Sequence, residues 1–172
     1  MATDTLTRFL TGVDNPADQY LFRSVIGAIW DRLSSQALSS AGLVIKAGGS
    51  ALAKTGASAT YLLAKGTPVK IAAATDMPAL SGTVTNAKFN VFVFFVDSAG
   101  TTSSAMGTEG ATLAAVKFPP IPAGKAVIGF IVINPTGTGN FVGGTTALDD
   151  ATVVPNAAYV SPTGPFDPTL LV

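Results

Sequence analysis

Few side chains in this sequence are equipped for chemistry. Among its 172 residues there is no His and no Cys, which removes the commonest general base, the commonest thiol nucleophile and the commonest zinc ligands. A Ser–Lys dyad is the nearest nucleophilic arrangement left, with Ser50 and Lys54 in "GGSALAK" as its closest form. The spacing is S-x-x-x-K rather than S-x-x-K, and the segment is too Gly-rich for a firm helix. Acid–base pairs are as scarce. Glu109 in "MGTEG" is the only Glu, and Asp149 and Asp150 are adjacent, so on a strand they would face opposite sides. These three read as solvated turn acids, with weak Ca²⁺ binding by Asp149 and Asp150 as the alternative.

One stretch looks like a cofactor site. "NPTGTGNFVGG" (134–144) follows the apolar run "AVIGFIVI", as the glycine loop of a dinucleotide fold follows its first strand. That fingerprint needs G-x-G-x-x-G followed by a helix whose N–H groups meet the pyrophosphate. Here the glycines at 137, 139 and 143 give G-x-G-x-x-x-G, and the following "TTALDDATVVPN" has no helical rhythm. The loop reads as a hairpin or sandwich corner. No catalytic residue, cofactor or metal is expected, and the chain reads as non-enzymatic.

The elements around these residues point to binding instead. In "DNPADQYLFRSVIGAIWDRLSSQ", Asn15 suits an N-cap, Pro16 the first helical position, and Asp18 the positive end of the helix dipole. Capping also accounts for the superficially calcium-like "DNPAD". A helix over 15–34 is predicted, with Leu21, Val25, Ala28, Ile29 and Leu33 on one apolar stripe that Phe22, Ile26 and Trp30 widen. The stripe has two uses, packing on the same chain or docking on a partner, and either buries it. The Ser-rich "SSQALSSAG" then reads as a linker.

After Gly42 short β-prone runs alternate with Gly, Pro, Ser and Asn. Strands are predicted at 43–47, 59–64, 68–73, 88–96, 112–118, 125–133 and 151–154. "AKFNVFVFFVDSAGT" (87–101) and "GKAVIGFIVINPTGT" (124–138) align without gaps, each a Lys, a long apolar strand and an Asx-led turn closed by Gly-Thr. Both read as central strands buried on two faces. "VSPTGPFDPTLLV" carries three prolines, which exclude a central strand and leave an extended tail with an apolar end. The predicted fold is mainly β. An N-terminal helical arm and linker (1–42) precede an antiparallel β-sandwich or jelly-roll-like domain (43–160) and a Pro-rich tail (161–172).

Charge narrows the partners. Only 12% of residues are charged while 48% are hydrophobic, little charge for a large free surface. Residues 41–90 hold five Lys against one Asp, too dispersed for a nucleic-acid footprint. The longest apolar runs, 91–96 and 126–133, are too short to span a bilayer as helices, and "MATDTLTRFL" lacks a secretory pattern. A soluble protein made in the cytoplasm, without nucleic-acid or membrane partners, is expected.

Three phrases carry a family resemblance: "YLLAKGTPVKIAAATDMPAL", "DMPALSGTVTNAKFNVFVFF" and "AMGTEGATLAAVKFPPIPAGKAVIGFIVINPTGTGNFVGGTTALDD". Over about the last three quarters of its length the chain resembles small virion structural proteins of tailed bacteriophages, most of all capsid decoration (cement) proteins. The resemblance implies a β-rich, often trimeric protein without catalytic residues, bound on the outer capsid surface where major capsid proteins meet. The expected inter-chain and capsid contacts are Leu21, Phe22, Val25, Ile29, Trp30 and Leu33 of the helix, with Phe166, Leu170 and Leu171 of the tail. The alternatives are a fibre or tail-tip module binding a host receptor and, against the missing His and scarce Glu, an envelope hydrolase.

Overall fold

In the computed structural model, which describes residues 16–166, the two longest apolar runs lie side by side at the centre of one sheet. The chain is mainly β with antiparallel pairing and one N-terminal helix among the described residues. Helix α1 spans Pro16–Ser34. It is followed by strands β1 (Gln36–Ala37), β2 (Val44–Ile45), β3 (Ala53–Lys54), β4 (Thr60–Ala64) and β5 (Thr67–Ile71). Then come β6 (Thr83–Val84), β7 (Asn90–Val96), β8 (Thr102–Met106), a 3₁₀ turn (Leu113–Ala115), β9 (Ala126–Ile133), β10 (Phe141–Val142) and β11 (Ala158–Val160). The four-stranded sheet runs β11-β9-β7-β8, and a second sheet runs β1-β4-β5.

Strands β7 and β9 are the two matched segments of the sequence, and they pair with each other from Asn90↔Ile133 to Val96↔Ala126. Every residue of β7 is buried and only Val132 of β9 is not. Continuous Val, Ile and Phe therefore reflect cover on both faces. One face joins Phe92, Phe94, Val96, Ile128 and Ile131 to Leu62, Ala64, Val69 and Ile71 of the second sheet in the larger core. The other joins Val91, Val93, Phe95, Val127 and Phe130 to Val116, Phe118, Ile121 and Phe166. A bulge where Phe94 faces Gly129 and Phe95 faces Val127 lets Ile128 and Ile131 share a face three residues apart. At Gly129 a Cβ would lie 2.6 Å from both Leu43 Cδ1 and Val160 O, so only Gly admits this approach.

Strands β4 and β5 form a two-residue hairpin through Lys65 (φ 52°) and Gly66 (φ 76°). Positive φ at both positions makes the type I′ turn whose twist suits paired strands. The turn also serves the helix. The Gly66 N–H donates to Ser34 O at 2.7 Å, satisfying the last helical carbonyl, and the Lys65 N–H donates to Ser35 Oγ at 3.1 Å just beyond it.

The structure departs from the expected strands at several places. Residues 112–118 hold the 3₁₀ turn, because Val116 and Phe118 cap the second core face instead of pairing in a ladder. Residues 151–154 form a turn nucleated by Asp150, whose Oδ1 accepts from the N–H groups of Thr152 and Val153 at 2.9 and 3.1 Å. The predicted linker contributes β1, which pairs with β4, and Ala37 also bridges Gly164 of the tail. Strand β8, "TSSAM", has low β propensity and exists because β7 offers it a paired edge from Phe92↔Met106 to Val96↔Thr102.

A candidate partner-binding helix

The C-terminal end of α1 is fastened to the β-domain by its polar side chains. Asp31 Oδ1 accepts from the Gly124 N–H at 2.9 Å, and Arg32 Nη2 donates to Ile121 O at 3.3 Å. Asp31 and Arg32 also pair with each other at 3.4 Å. With the Gly66 and Lys65 bonds, these ties hold the last turn between the β4–β5 hairpin and the loop that leads into β9. Several other apolar side chains of α1 stand in solvent. Trp30 is 72% exposed, Leu21 63% and Ile29 50%, with Val25, Ile26 and Leu33 exposed alongside.

At about 100° per residue these side chains form a coherent surface. Phe22, Ile26, Ile29 and Leu33 form its middle, Val25 and Trp30 flank it on opposite sides, and Leu21 extends it. Asp31 lies roughly 170° from that middle and Arg32 roughly 90° to one side. Asp31 therefore holds the domain from the side opposite the apolar middle, while Arg32 holds it from one flank, beside Val25. Full burial of an Ile, Leu or Val side chain contributes about 1.5–3 kcal/mol. Contiguous exposed apolar patches are a feature of interaction surfaces.

The residues expected at interfaces divide into three groups. Leu21, Val25, Ile29, Trp30 and Leu33 are together on the outward face, and Phe22 is half-buried beside them. Phe166 is half-buried within its own chain, stacked on Phe130 at 5.6 Å and edge-on to Phe118 at 6.0 Å. Leu170 and Leu171 lie outside the described residues, as does Asn15. No local sequence pattern marks Asp31 and Arg32 as attachment residues. Their side-chain ties run 93 and 89 residues along the chain, beyond the reach of a local pattern.

The candidate chemical residues are occupied by structural bonds. In the 134–144 loop, the Thr138 N–H donates to Thr152 O at 2.8 Å. Phe141 and Val142 pair with Val84 and Thr83, and turns follow instead of a helix. A Cβ on Gly137 would lie 1.4 Å from Thr152 O, so the loop is packed shut against residues 152–153. Ser50 Oγ accepts from the Leu52 N–H at 3.0 Å in a loop, while Lys54 stands on β3 opposite Val44. Both oxygens of Asp149 accept from the Gly49 N–H, at 3.1 and 3.0 Å.

Glu109 accepts from the Thr85 N–H and hydroxyl at 3.0 and 2.9 Å, and these bonds, with a smaller contribution from Lys88, hold its carboxyl below its usual range. Hydrogen bonds from Thr152 and then Val153 do the same for Asp150. Burial, and secondarily Asp149, pushes the Tyr159 phenol up. Among the described residues no group of three or more acidic, His or Cys side chains could hold a metal ion, and no helix is long and apolar enough to cross a membrane. No family model, curated protein or solved structure matches the chain.

Proposed function

We propose that this chain is a non-enzymatic capsid decoration protein of a tailed bacteriophage, binding the outer surface of the assembled head where major capsid proteins meet. The observation that carries the reading is α1, held by Asp31 and Arg32 with its apolar face turned outward. A clamp needs this division. A folded domain supplies rigidity, and an outward arm supplies apolar area to another polypeptide. The phrases that resemble virion structural proteins add the kind of assembly. The β-domain is, in the same reading, a sandwich, with β11-β9-β7-β8 and β1-β4-β5 as its layers. Support comes from the larger core, where Leu62 and Val69 meet Phe92, Phe94 and Ile128.

Such a protein strengthens a shell by mass action. Binding the assembled state alone stabilises it by about 2.7 kcal/mol per site at a free concentration a hundred times Kd. Several linked copies multiply modest contacts into high avidity. The test is to add the purified chain to undecorated heads, pellet them and count bound copies. Saturable occupancy together with heads that survive higher temperature is the expected result. Absence of head binding with attachment to host cells would replace this reading with a receptor-binding fibre module.

A further inference from the structure

We propose that residues 167–172 of this chain lie as a strap along the Arg32 flank of α1, with Leu170, Leu171 and Val172 against Leu21, Val25 and Ile29. This goes beyond the decoration reading, since it gives one flank of the helix a cover from its own chain and leaves Ile26 and Trp30 open for a partner. Leu170 and Leu171 are thereby assigned to the helix instead of to capsid contacts.

The described part of the tail sets the direction. Gly164 bridges Ala37 in antiparallel sense, its N–H donating to Ala37 O at 2.7 Å. Strand β1 leads away from α1, so the antiparallel tail leads back toward Gln36, Ser35 and the last helical turn. Phe166 marks where it arrives. Its ring stacks on Phe130 at 5.6 Å, and it closes the second core face together with Ile121. The carbonyl of that same Ile121 accepts from Arg32 at 3.3 Å. The chain therefore passes Phe166 at the flank of α1 from which Arg32 reaches the domain.

That flank is open and apolar. At about 100° per residue, Arg32, Val25 and Leu21 fall within roughly 40° of one another, with Ala28 to one side and Ile29 to the other. Leu21, Val25, Ala28 and Ile29 are all exposed. Ile26 and Trp30 stand on the far side, roughly 120° and 160° from Arg32. From Arg32 to Leu21 the helix rises about 16 Å, and six extended residues reach roughly 20 Å, so 167–172 span the flank. Pro168 holds its own φ at about −65° and disfavours helical backbone at Asp167, which favours an extended start. The three apolar residues then follow at 170–172, within the stretch of α1 that needs cover.

The chain has no Cys, so introduced thiols report proximity directly. Val25→Cys is combined in turn with Leu170→Cys and Leu171→Cys in the full chain, and nonreducing gels with mass spectrometry separate intrachain from interchain disulfides. Arg23→Cys, at nearly the same height but about 160° around the helix, replaces Val25→Cys as the control. At least one Val25→Cys pairing should close within the chain about tenfold or more faster than either Arg23→Cys pairing, because a disulfide needs Cα atoms about 4.4–6.8 Å apart. Independently, Leu170→Asp with Leu171→Asp should speed amide exchange in residues 21–29 about tenfold or more and leave β7 and β9 unchanged. Equal rates on the two flanks, interchain disulfides in place of intrachain ones, or unchanged exchange in the tail variant overturns the strap. Faster exchange of the same helical residues in Phe9→Asp with Leu10→Asp, beside an unchanged tail variant, would give the flank to the N-terminal segment and overturn it as well. Heads are absent from every sample, so a failed strap leaves the decoration reading untouched.

Discussion

Replacing Gly137 with Ala separates a packed corner from a ligand cradle. The new Cβ would be built 1.4 Å from Thr152 O, about 2 Å closer than carbon and oxygen tolerate without a bond. The obstacle is backbone, so relief requires the 134–140 loop or the 151–154 turn to move. Overpacking of this kind costs about 1–3 kcal/mol. Displacement also breaks the Thr138 N–H bond to Thr152 O, worth about 0.5–1.5 kcal/mol. The expected loss is about 2–4 kcal/mol, or roughly 5–15 °C in Tm for a domain of this size. Urea and thermal unfolding followed by far-UV circular dichroism, at one fixed protein concentration, would measure it. A midpoint equal to that of the unsubstituted chain would refute the packed corner and reopen the loop as a binding element.

Other substitutions probe the helix, the core and the acid groups. Gly27 lies inside α1 with nothing within 4 Å of an added Cβ, so Gly27→Ala should stabilise the chain by about 0.5–1 kcal/mol; a lower urea midpoint would show that this side of the helix is covered. Phe92 is fully buried and edge-on to Phe141 at 5.8 Å, so Phe92→Ala should cost about 3–5 kcal/mol in urea unfolding, and a loss under 1 kcal/mol would contradict the core. The carboxyls of Glu109 and Asp150 bind a proton less readily in the folded chain than in the unfolded one. Their contribution is present above about pH 5 and lost as pH falls through about 4 and below. Glu109→Gln with Asp150→Asn should therefore flatten the acid limb of a urea-midpoint profile, and an unchanged limb would exclude both groups.

Legibility in the sequence followed the range of the force involved. Local signals placed α1 almost to the residue, because Pro16 at the first helical position and an i, i+4, i+7 stripe are short-range features. The same held for β7 and β9, whose length and lack of alternation announced cover on both faces. Strand β8 was invisible, since Ser and Thr pair there only because Phe92–Val96 supply an edge. The turn led by Asp150 replaced the strand predicted at 151–154, and the bulge beside Gly129 left no mark in the sequence.

At the helix the limit was different in kind. Amphipathicity shows that Val25, Ile29 and Leu33 need cover, and the structure shows that this chain's β-domain does not provide it. The deciding bonds, from Gly124 to Asp31 and from Arg32 to Ile121, join segments about ninety residues apart and leave no local trace. Phe166 illustrates the converse. Its place in an apolar tail suggested an outside partner, whereas Phe118 and Phe130 already receive it.

Trp30 is the chain's one tryptophan and stands on the outward face of α1. Incorporated as 5-hydroxytryptophan, it can be excited apart from the tryptophans of phage heads, and acrylamide quenching of its emission reports directly whether that face is covered. The decisive measurement is this quenching for the full chain bound to undecorated heads, against the same chain free in solution. A clear loss of quenching with emission at shorter wavelength is the expected result. Equal quenching in the two samples, with the heads saturated, would contradict α1 as the docking element.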